Sequence, residues 1–134
     1  MARLIVLDAS VVIAALSATD ANHAAASVAI ASTSDDELVL AATTRAEILI
    51  GPMRAGGSAL AAARDFVDGC VTVPVSAPIA DDAAVLRARH RALSLPDAIA
   101  LVVADVIDAD AVWTLDQRWA TVNVRVTVLT APAS

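Results

Sequence analysis

Short apolar runs rich in β-branched residues alternate with helix-like stretches along this chain, and this alternation limits the possible folds more than any other feature. Strands are predicted at 3–7, 71–75, 111–115 and 124–129, with Leu38-Val39-Leu40 either a short strand or an extended entry to a helix. Helices are predicted at 9–17, 20–33, 44–53, 58–68, 78–92 and 94–108. Strands separated by helices need right-handed crossovers, so the pattern predicts an α/β fold with a mainly parallel sheet.

The length of 134 residues predicts a single domain, 1–134, with residues 131–134 as a frayed tail. Pro74 indicates that its strand lies at an edge of the sheet. No apolar run approaches the roughly 20 residues of a membrane span. Asp8 interrupts the apolar N-terminal stretch that would otherwise suggest a secretion signal. With Cys70 as the single cysteine, we expect a cytoplasmic protein without disulfides or membrane association.

The charged residues exclude several classes of enzyme. Nine arginines and no lysine accompany a net charge of −6, so no P-loop lysine, Schiff-base lysine or phospho-receiver lysine is possible. Ser10 stands where an aspartyl-nucleophile phosphatase needs a second Asp after Asp8. The sequence also lacks Gly-x-Ser-x-Gly and Gly-x-Gly-x-x-Gly, which argues against a serine hydrolase and a dinucleotide-binding protein.

Four acidic residues, Asp8, Glu47, Asp97 and Asp116, stand at the ends of apolar segments. Asp8 and Asp116 follow predicted strands, where open α/β sheets bind ligands, and Glu47 and Asp97 lie near the starts of helices. A sheet flanked by helices could bring all four into one cleft. Clustered carboxylates favour Mg²⁺ or Mn²⁺, and hydrolysis of a phosphodiester is a chemistry such ions support.

Each acid also has a structural explanation as a helix cap. Thr44-Arg45-Ala46-Glu47 and Ser94-Leu95-Pro96-Asp97 both match the capping-box pattern. Asp8 and Asp116 would serve as N-cap residues after strands. What favours a metal site is the joint order of the four motifs along the chain.

In that order the chain resembles the PIN-domain ribonucleases, most closely the VapC-type toxins of bacterial toxin–antitoxin pairs. The matching segments are Leu7-Asp8-Ala9-Ser10, Arg45-Ala46-Glu47-Ile48-Leu49, Leu93–Ala100 with its Pro96-Asp97, and Thr114-Leu115-Asp116. The resemblance covers about Leu4 to Leu129. It implies a three-layer α/β/α fold, a metal-dependent endoribonuclease giving 5′-phosphate and 3′-hydroxyl ends, a homodimer, and a cognate VapB-type antitoxin. It also implies that Asp8, Glu47, Asp97 and Asp116 bind the metal, with Ser10 and Thr114 as supporting hydroxyls.

The chain departs from this family pattern after its last motif. Many relatives carry a further acid there, whereas this sequence has Gln117, Arg118 and Trp119, which leaves a tightly held second ion in question. We hypothesise that Asp8 and Asp97 hold the principal ion, while Glu47 and Asp116 share it or orient a water. Asp81 and Asp82 are alternative ligands, although acids in a first helical turn usually complement the helix dipole.

Local basic residues are the candidates for RNA contact, because the overall charge opposes nonspecific binding. Arg45 and Arg118 are expected at the mouth of the cleft, and Arg87 and Arg91 on one helix face at i, i+4 spacing. The alternative for the last two is a solvated face or pairing with Asp81 and Asp82. The alternative for the whole chain is a catalytically silent PIN-like module that binds protein or RNA. A hydrophobic groove for an antitoxin helix, or a dimer face, would account for exposed apolar surface.

Overall fold

The computed structural model describes residues 2–130, so the predicted tail at 131–134 lies outside the described residues. Strands and helices alternate as predicted. Their bounds are β1 (Leu4–Leu7), α1 (Ala9–Leu16), α2 (His23–Ala31), β2 (Glu37–Ala41), α3 (Ala42–Ala55), α4 (Gly57–Asp68), β3 (Val71–Val73), α5 (Ala77–Arg89), α6 (Leu95–Val106), β4 (Ala111–Thr114), a 3-10 turn (Gln117–Trp119) and β5 (Val126–Val128). None of the helices within this range is long and apolar enough to cross a membrane.

The five strands form one sheet in the order β3-β2-β1-β4-β5, and every neighbouring pair is parallel. The prediction of a parallel sheet is therefore confirmed, and β3 lies at an edge as Pro74 indicated. From β1 the chain adds β2 and β3 on one side and then returns to add β4 and β5 on the other. The carboxyl ends of β1 and β4 thus flank the position where strand order reverses, which is where open α/β sheets form a ligand crevice.

Alternating side chains divide the core between the two faces of the sheet. Val6 and Val112 face a core built with α5 and α6, whereas Ile5, Leu7 and Trp113 face a core built with α1 to α4. These residues are buried on both faces because helices cover both. The three-layer α/β/α arrangement is confirmed.

Several predicted helix boundaries are wrong, with identifiable causes. The helix predicted from residue 20 begins at His23, because the Asp20 carboxylate accepts from the backbone N–H of Asn22 (2.8 Å) and holds a turn. The helix predicted from Thr44 begins at Ala42, directly after β2. The helix predicted to reach residue 92 ends at Arg89, with His90 as its C-cap residue. The earlier start of α3 alters the predicted capping role of Glu47, and the earlier end of α5 alters the predicted pairing of Arg87 and Arg91 on one helix face.

Candidate active site

The Asp8 carboxyl lies at the crevice between β1 and β4. Its backbone N–H donates to the carbonyl of Trp113 (2.9 Å), which continues the pairing of the two strands for one residue. The side chain is only 7% exposed. Its Oδ2 atom accepts hydrogen bonds from the hydroxyls of Ser10 (2.7 Å) and Thr114 (2.8 Å). The structure therefore brings both predicted supporting hydroxyls onto one oxygen of Asp8.

The two hydroxyls are themselves fixed by the backbone after β4. Leu115 N–H donates to Ser10 Oγ (3.2 Å), and Asp116 N–H donates to Thr114 Oγ1 (3.0 Å). Each hydroxyl thus accepts from an amide and donates to Asp8. This network joins the end of β1, the first turn of α1 and the end of β4. It sets the orientation of the Asp8 carboxyl, and neither hydroxyl is bonded to Oδ1.

Glu47 and Asp97 share the electrostatic environment of Asp8. Burial raises the pKa of the Asp8 carboxyl above its ordinary value, and the charge of Asp97 raises it further, while the Ser10 and Thr114 hydroxyls oppose the rise. The pKa of Glu47 is raised by burial and then by the charges of Asp8 and Asp97. Asp97 thus lies near enough to act on both Asp8 and Glu47, and Asp8 near enough to act on Glu47.

The cap alternatives hold for some acids and not for others. Ser94 and Asp97 form the predicted capping box at the start of α6, with Asp97 N–H donating to Ser94 Oγ (3.2 Å) and Ser94 N–H to Asp97 Oδ2 (3.3 Å). Asp97 therefore combines a capping role with its place in the cleft. The capping box predicted for Thr44 and Glu47 is wrong, because α3 begins at Ala42 and its N-cap residue, Ala41, makes no side-chain cap.

Asp116 is engaged differently from the other three acids. Its Oδ1 accepts from the backbone N–H of Arg118 (2.9 Å), so it caps the 3-10 turn. Its carboxylate also accepts from Arg118 Nε at Oδ1 (3.0 Å) and from Nη2 at Oδ2 (2.7 Å). The hydrogen bonds from Arg118 lower the pKa of Asp116. The backbone of Asp116 therefore belongs to the Asp8 network, while its carboxylate binds an arginine.

The predicted basic residues occupy different places. Arg45 does not have the contacts expected at the cleft mouth: its guanidinium donates to Asp68 Oδ1 (2.7 Å) and to the carbonyl of Val67 (3.3 Å), and so it joins α3 to the end of α4.

Arg87 and Arg91 do not share a helix face, because α5 ends at Arg89. Within residues 2–130, neither of these two forms an ion pair with Asp81 or Asp82. Arg118 is 64% exposed and forms an ion pair with Asp116.

The donor atoms of the cleft are carboxylate and hydroxyl oxygens, the ligands that Mg²⁺ and Mn²⁺ prefer. In the described part of the chain no three His, Cys, Asp or Glu side chains form a ready-made metal cage. The cleft nevertheless fits an ion of this kind, because Mg²⁺ usually keeps several waters and needs only one or two carboxylates. The buried Asp8 carboxyl supports this fit, because its Oδ1 atom accepts no hydrogen bond from either supporting hydroxyl.

One side chain that the sequence did not single out is Thr43. Its Oγ1 is buried and has no hydrogen-bond partner among the described residues. It precedes Glu47 by four residues on α3 and therefore lies on the same helix face. The sequence could have indicated Thr43 by its i, i+4 spacing from Glu47. That spacing is informative only when α3 is known to begin at Ala42, before Thr43.

The comparisons with known proteins agree with this architecture. The profile of the PIN domain family matches residues 5–124, and the chain belongs to that family. The structure is similar to the toxin VapC20 of Mycobacterium tuberculosis, with a TM-score of 0.73 at 23% identity over 84% of this chain and 90% of that chain. A toxin–antitoxin complex from Klebsiella pneumoniae gives a TM-score of 0.77 at 20% identity, covering 92% of this chain and 96% of that chain. FitAcB from Neisseria gonorrhoeae gives 0.69 at 19% identity, covering 91% and 95%. No curated protein sequence matches the chain.

Proposed function

We propose that this chain is a metal-dependent endoribonuclease that acts as the toxin of a toxin–antitoxin pair. The observation that carries the proposal is the Asp8 carboxyl, which is buried at the strand-order reversal and accepts hydrogen bonds from two hydroxyls. The charge of Asp97 acts on Asp8, and the charges of Asp8 and Asp97 act on Glu47. Membership in the PIN family and the similarity to VapC20, described as a toxin that cleaves the sarcin–ricin loop, support the same assignment.

Asp8 and Asp97 would hold the Mg²⁺ or Mn²⁺ ion. When bound, the ion lowers the pKa of a water and stabilises the leaving oxygen of the phosphodiester. The Ser10 and Thr114 hydroxyls orient Asp8 through its Oδ2 atom. Glu47 is partly buried and its raised pKa suits it to orient the attacking water and to accept its proton.

The test is cleavage of RNA by the purified chain with and without Mn²⁺, using total RNA and a sarcin–ricin loop oligonucleotide as substrates. Asp8→Asn and Asp97→Asn should each reduce cleavage to background while the far-UV spectrum stays unchanged. Asp65→Asn makes the same change of charge at an exposed position on α4 and should leave cleavage intact. Survival of cleavage in both cleft variants would refute the proposal. Absence of cleavage by the wild type on every RNA would favour the catalytically silent PIN-like module instead.

RNA binding is proposed to use arginines near the cleft. Arg118 adjoins Asp116, and the charge of Asp97 acts on its pKa. Arg91 lies in the segment between α5 and α6, three residues before Ser94, the N-cap residue of α6. Arg87 lies in the last turn of α5. Single Ala substitutions at Arg87 and Arg91 should weaken RNA binding and reduce its salt dependence by about one unit of slope each. Arg45 is also retained as a candidate, although its bonds to α4 predict that Arg45→Ala affects stability as well.

A VapB-type antitoxin is proposed to bind an apolar groove formed by α1, α3 and α4. The groove has a volume of about 330 Å³ and is lined by residues that include Ile13, Leu16, Ile48 and Pro52. Ile13 and Leu16 are 43% and 37% exposed and lie together in the groove, so they present a contiguous apolar surface to solvent. The toxin–antitoxin complex among the similar structures supports an antitoxin partner. An amphipathic helix is the kind of segment that fits such a groove.

Co-expression with the product of the neighbouring small gene tests this partner. Leu16→Asp should abolish co-purification. Val124→Asp places the same charge at a fully exposed position away from the groove and should leave the complex intact. Co-purification of the Leu16 variant at the wild-type ratio would exclude this groove as the binding surface.

A homodimer is proposed to form through α5. A second groove of about 270 Å³ runs between α5 and α6 and is lined by Val85, Leu86, Val102 and Val106, with acids at its rim. Val85 is 50% exposed, and Asp81 and Arg89 lie four residues before and after it on the same helix face. Two copies of α5 that cross antiparallel at Val85 would pair each Asp81 with the other copy's Arg89, as a two-fold interface requires.

Size-exclusion chromatography with light scattering tests the dimer. Val85→Asp should give a monomer at concentrations where the wild type is dimeric. Val28→Asp, at a 72% exposed position on α2, is the matched control. A wild-type chain that remains monomeric at high concentration would contradict the proposal.

A further inference from the structure

Arg118 places a permanent cation at the edge of the acidic cleft. Its guanidinium binds Asp116 through two parallel contacts, Nε to Oδ1 (3.0 Å) and Nη2 to Oδ2 (2.7 Å). The charge of Asp97 also contributes to the raised pKa of Arg118, after the larger effects of Asp116. Arg118 therefore lies within the field of an acid on α6 as well as binding the acid after β4.

The backbone holds this arginine in place. The neighbouring Trp119 side chain is fully buried in the core on the α5–α6 side of the sheet, and the Trp119 backbone N–H donates to the carbonyl of Asp116 (3.2 Å). Arg118 N–H donates to Asp116 Oδ1 (2.9 Å). The side chain thus extends from an anchored turn to a carboxylate two residues away.

The stability of the fold does not account for this pair. The side chains of Arg118 and Asp116 are 64% and 24% exposed, and an ion pair with such exposure contributes little to folding. The pair does change the charge of the cleft, because it neutralises one of four acids. No bond from Nη1 of Arg118 is present within residues 2–130, so donors remain for another oxyanion.

We propose that Arg118 is the second cation of the cleft, so that the cleft takes one divalent ion at Asp8 and Asp97 and uses the guanidinium in place of another. This inference rests on the proposed nuclease function. A guanidinium that bridges Asp116 and a phosphate oxygen would stabilise charge on the substrate, as a second ion does in two-metal sites.

Metal stoichiometry tests the inference without reference to cleavage. Isothermal titration with Mn²⁺ of the metal-free chain should show one ion per wild-type chain. Arg118→Ala frees Asp116 and should raise the number to two, with the first ion bound at least as tightly as before. Adding Asp116→Asn to that variant should return the number to one. Arg118→Lys retains the charge and should stay at one. Arg64→Ala removes an exposed arginine on α4 and should also stay at one.

The outcomes separate this inference from the proposed function. Two ions in the wild type, or one ion in Arg118→Ala, would overturn the role of Arg118 while leaving a metal-dependent nuclease standing. A wild type that binds no Mn²⁺ would overturn both. A thermal melt of each variant without metal confirms that a changed stoichiometry does not reflect unfolding.

Discussion

Replacing Thr114 by valine removes the hydroxyl that links the Asp8 carboxyl to the backbone after β4. The two side chains have nearly the same shape, so Thr114→Val leaves no cavity at this fully buried position. The substitution removes the 2.8 Å bond to Asp8 Oδ2, and a hydrogen bond to a charged group contributes about 1.5–3 kcal/mol. It also removes the acceptor of the Asp116 N–H (3.0 Å), so the free energy of unfolding should fall by at least about 1.5 kcal/mol at mildly alkaline pH. The melting temperature should fall by at least about 6 °C, taking roughly 4 °C per kcal/mol for a chain of this length.

Urea denaturation of the metal-free protein measures the loss, and the slope m should not change. As acidification protonates Asp8, the penalty should decrease towards about 1 kcal/mol, because a bond to a neutral acceptor contributes less. Thr127→Val is the matched control: Thr127 is exposed on β5 and should change stability by less than about 0.5 kcal/mol. Equal losses for the two variants, or a penalty that grows on acidification, would refute this account of Asp8.

Three further predictions concern the cleft, the α3–α4 connection and the interior of α3. The pKa of Asp8 is raised in the folded state, so its ionisation opposes folding. Without divalent ions, Asp8→Asn should be more stable than the wild type above the folded-state pKa, and the difference should vanish as the pH falls below the unfolded-state pKa. Urea denaturation at a series of pH values measures this difference, and a variant less stable than the wild type at alkaline pH would contradict the prediction. Gly56 has φ 67° and ψ −165°, a conformation almost restricted to glycine, so Gly56→Ala should cost about 1–3 kcal/mol in a thermal melt. Gly51 is inside α3 with open space where an alanine methyl group would lie, so Gly51→Ala should instead stabilise by about 0.5–1 kcal/mol in the same melt.

The sequence was sufficient to predict the layers and the sheet because those follow from local pattern. Apolar strand runs separated by helices leave few topologies, and the carboxyl ends of parallel strands must meet at one edge. The closeness of Asp8 to Thr114 follows directly from this, since Thr114 ends β4 and Asp8 follows β1. The second alternative for Leu38-Val39-Leu40, an extended entry, was excluded only by the pairing of β2 with both β1 and β3.

The side-chain directions on α3 could not be predicted because the start of the helix depends on tertiary burial. The capping-box pattern suggested Thr44, but Ala41 is fully buried at the end of β2 and the chain turns into α3 there without a polar cap. This start leaves Glu47 towards the acids and Arg45, two residues earlier, towards the end of α4. Residues two apart on a helix do not face the same side, so closeness in sequence did not place Arg45 beside Glu47.

The acidic cleft has an electrostatic cost that the fold offsets only in part. Burial and neighbouring charges raise the pKa of Asp8 and Glu47, while two hydroxyls stabilise the ionised form of Asp8 and an arginine stabilises that of Asp116. Under the proposed function, the remaining negative charge would give a divalent cation its affinity, because ionised carboxylates are the ligands that such ions prefer. The same charge repels RNA, so under the proposed function the substrate would be bound through the cation and through a few arginines at the rim. Affinity that depends on so few positive charges should be modest and sensitive to salt, and selectivity must come chiefly from the shape of the RNA.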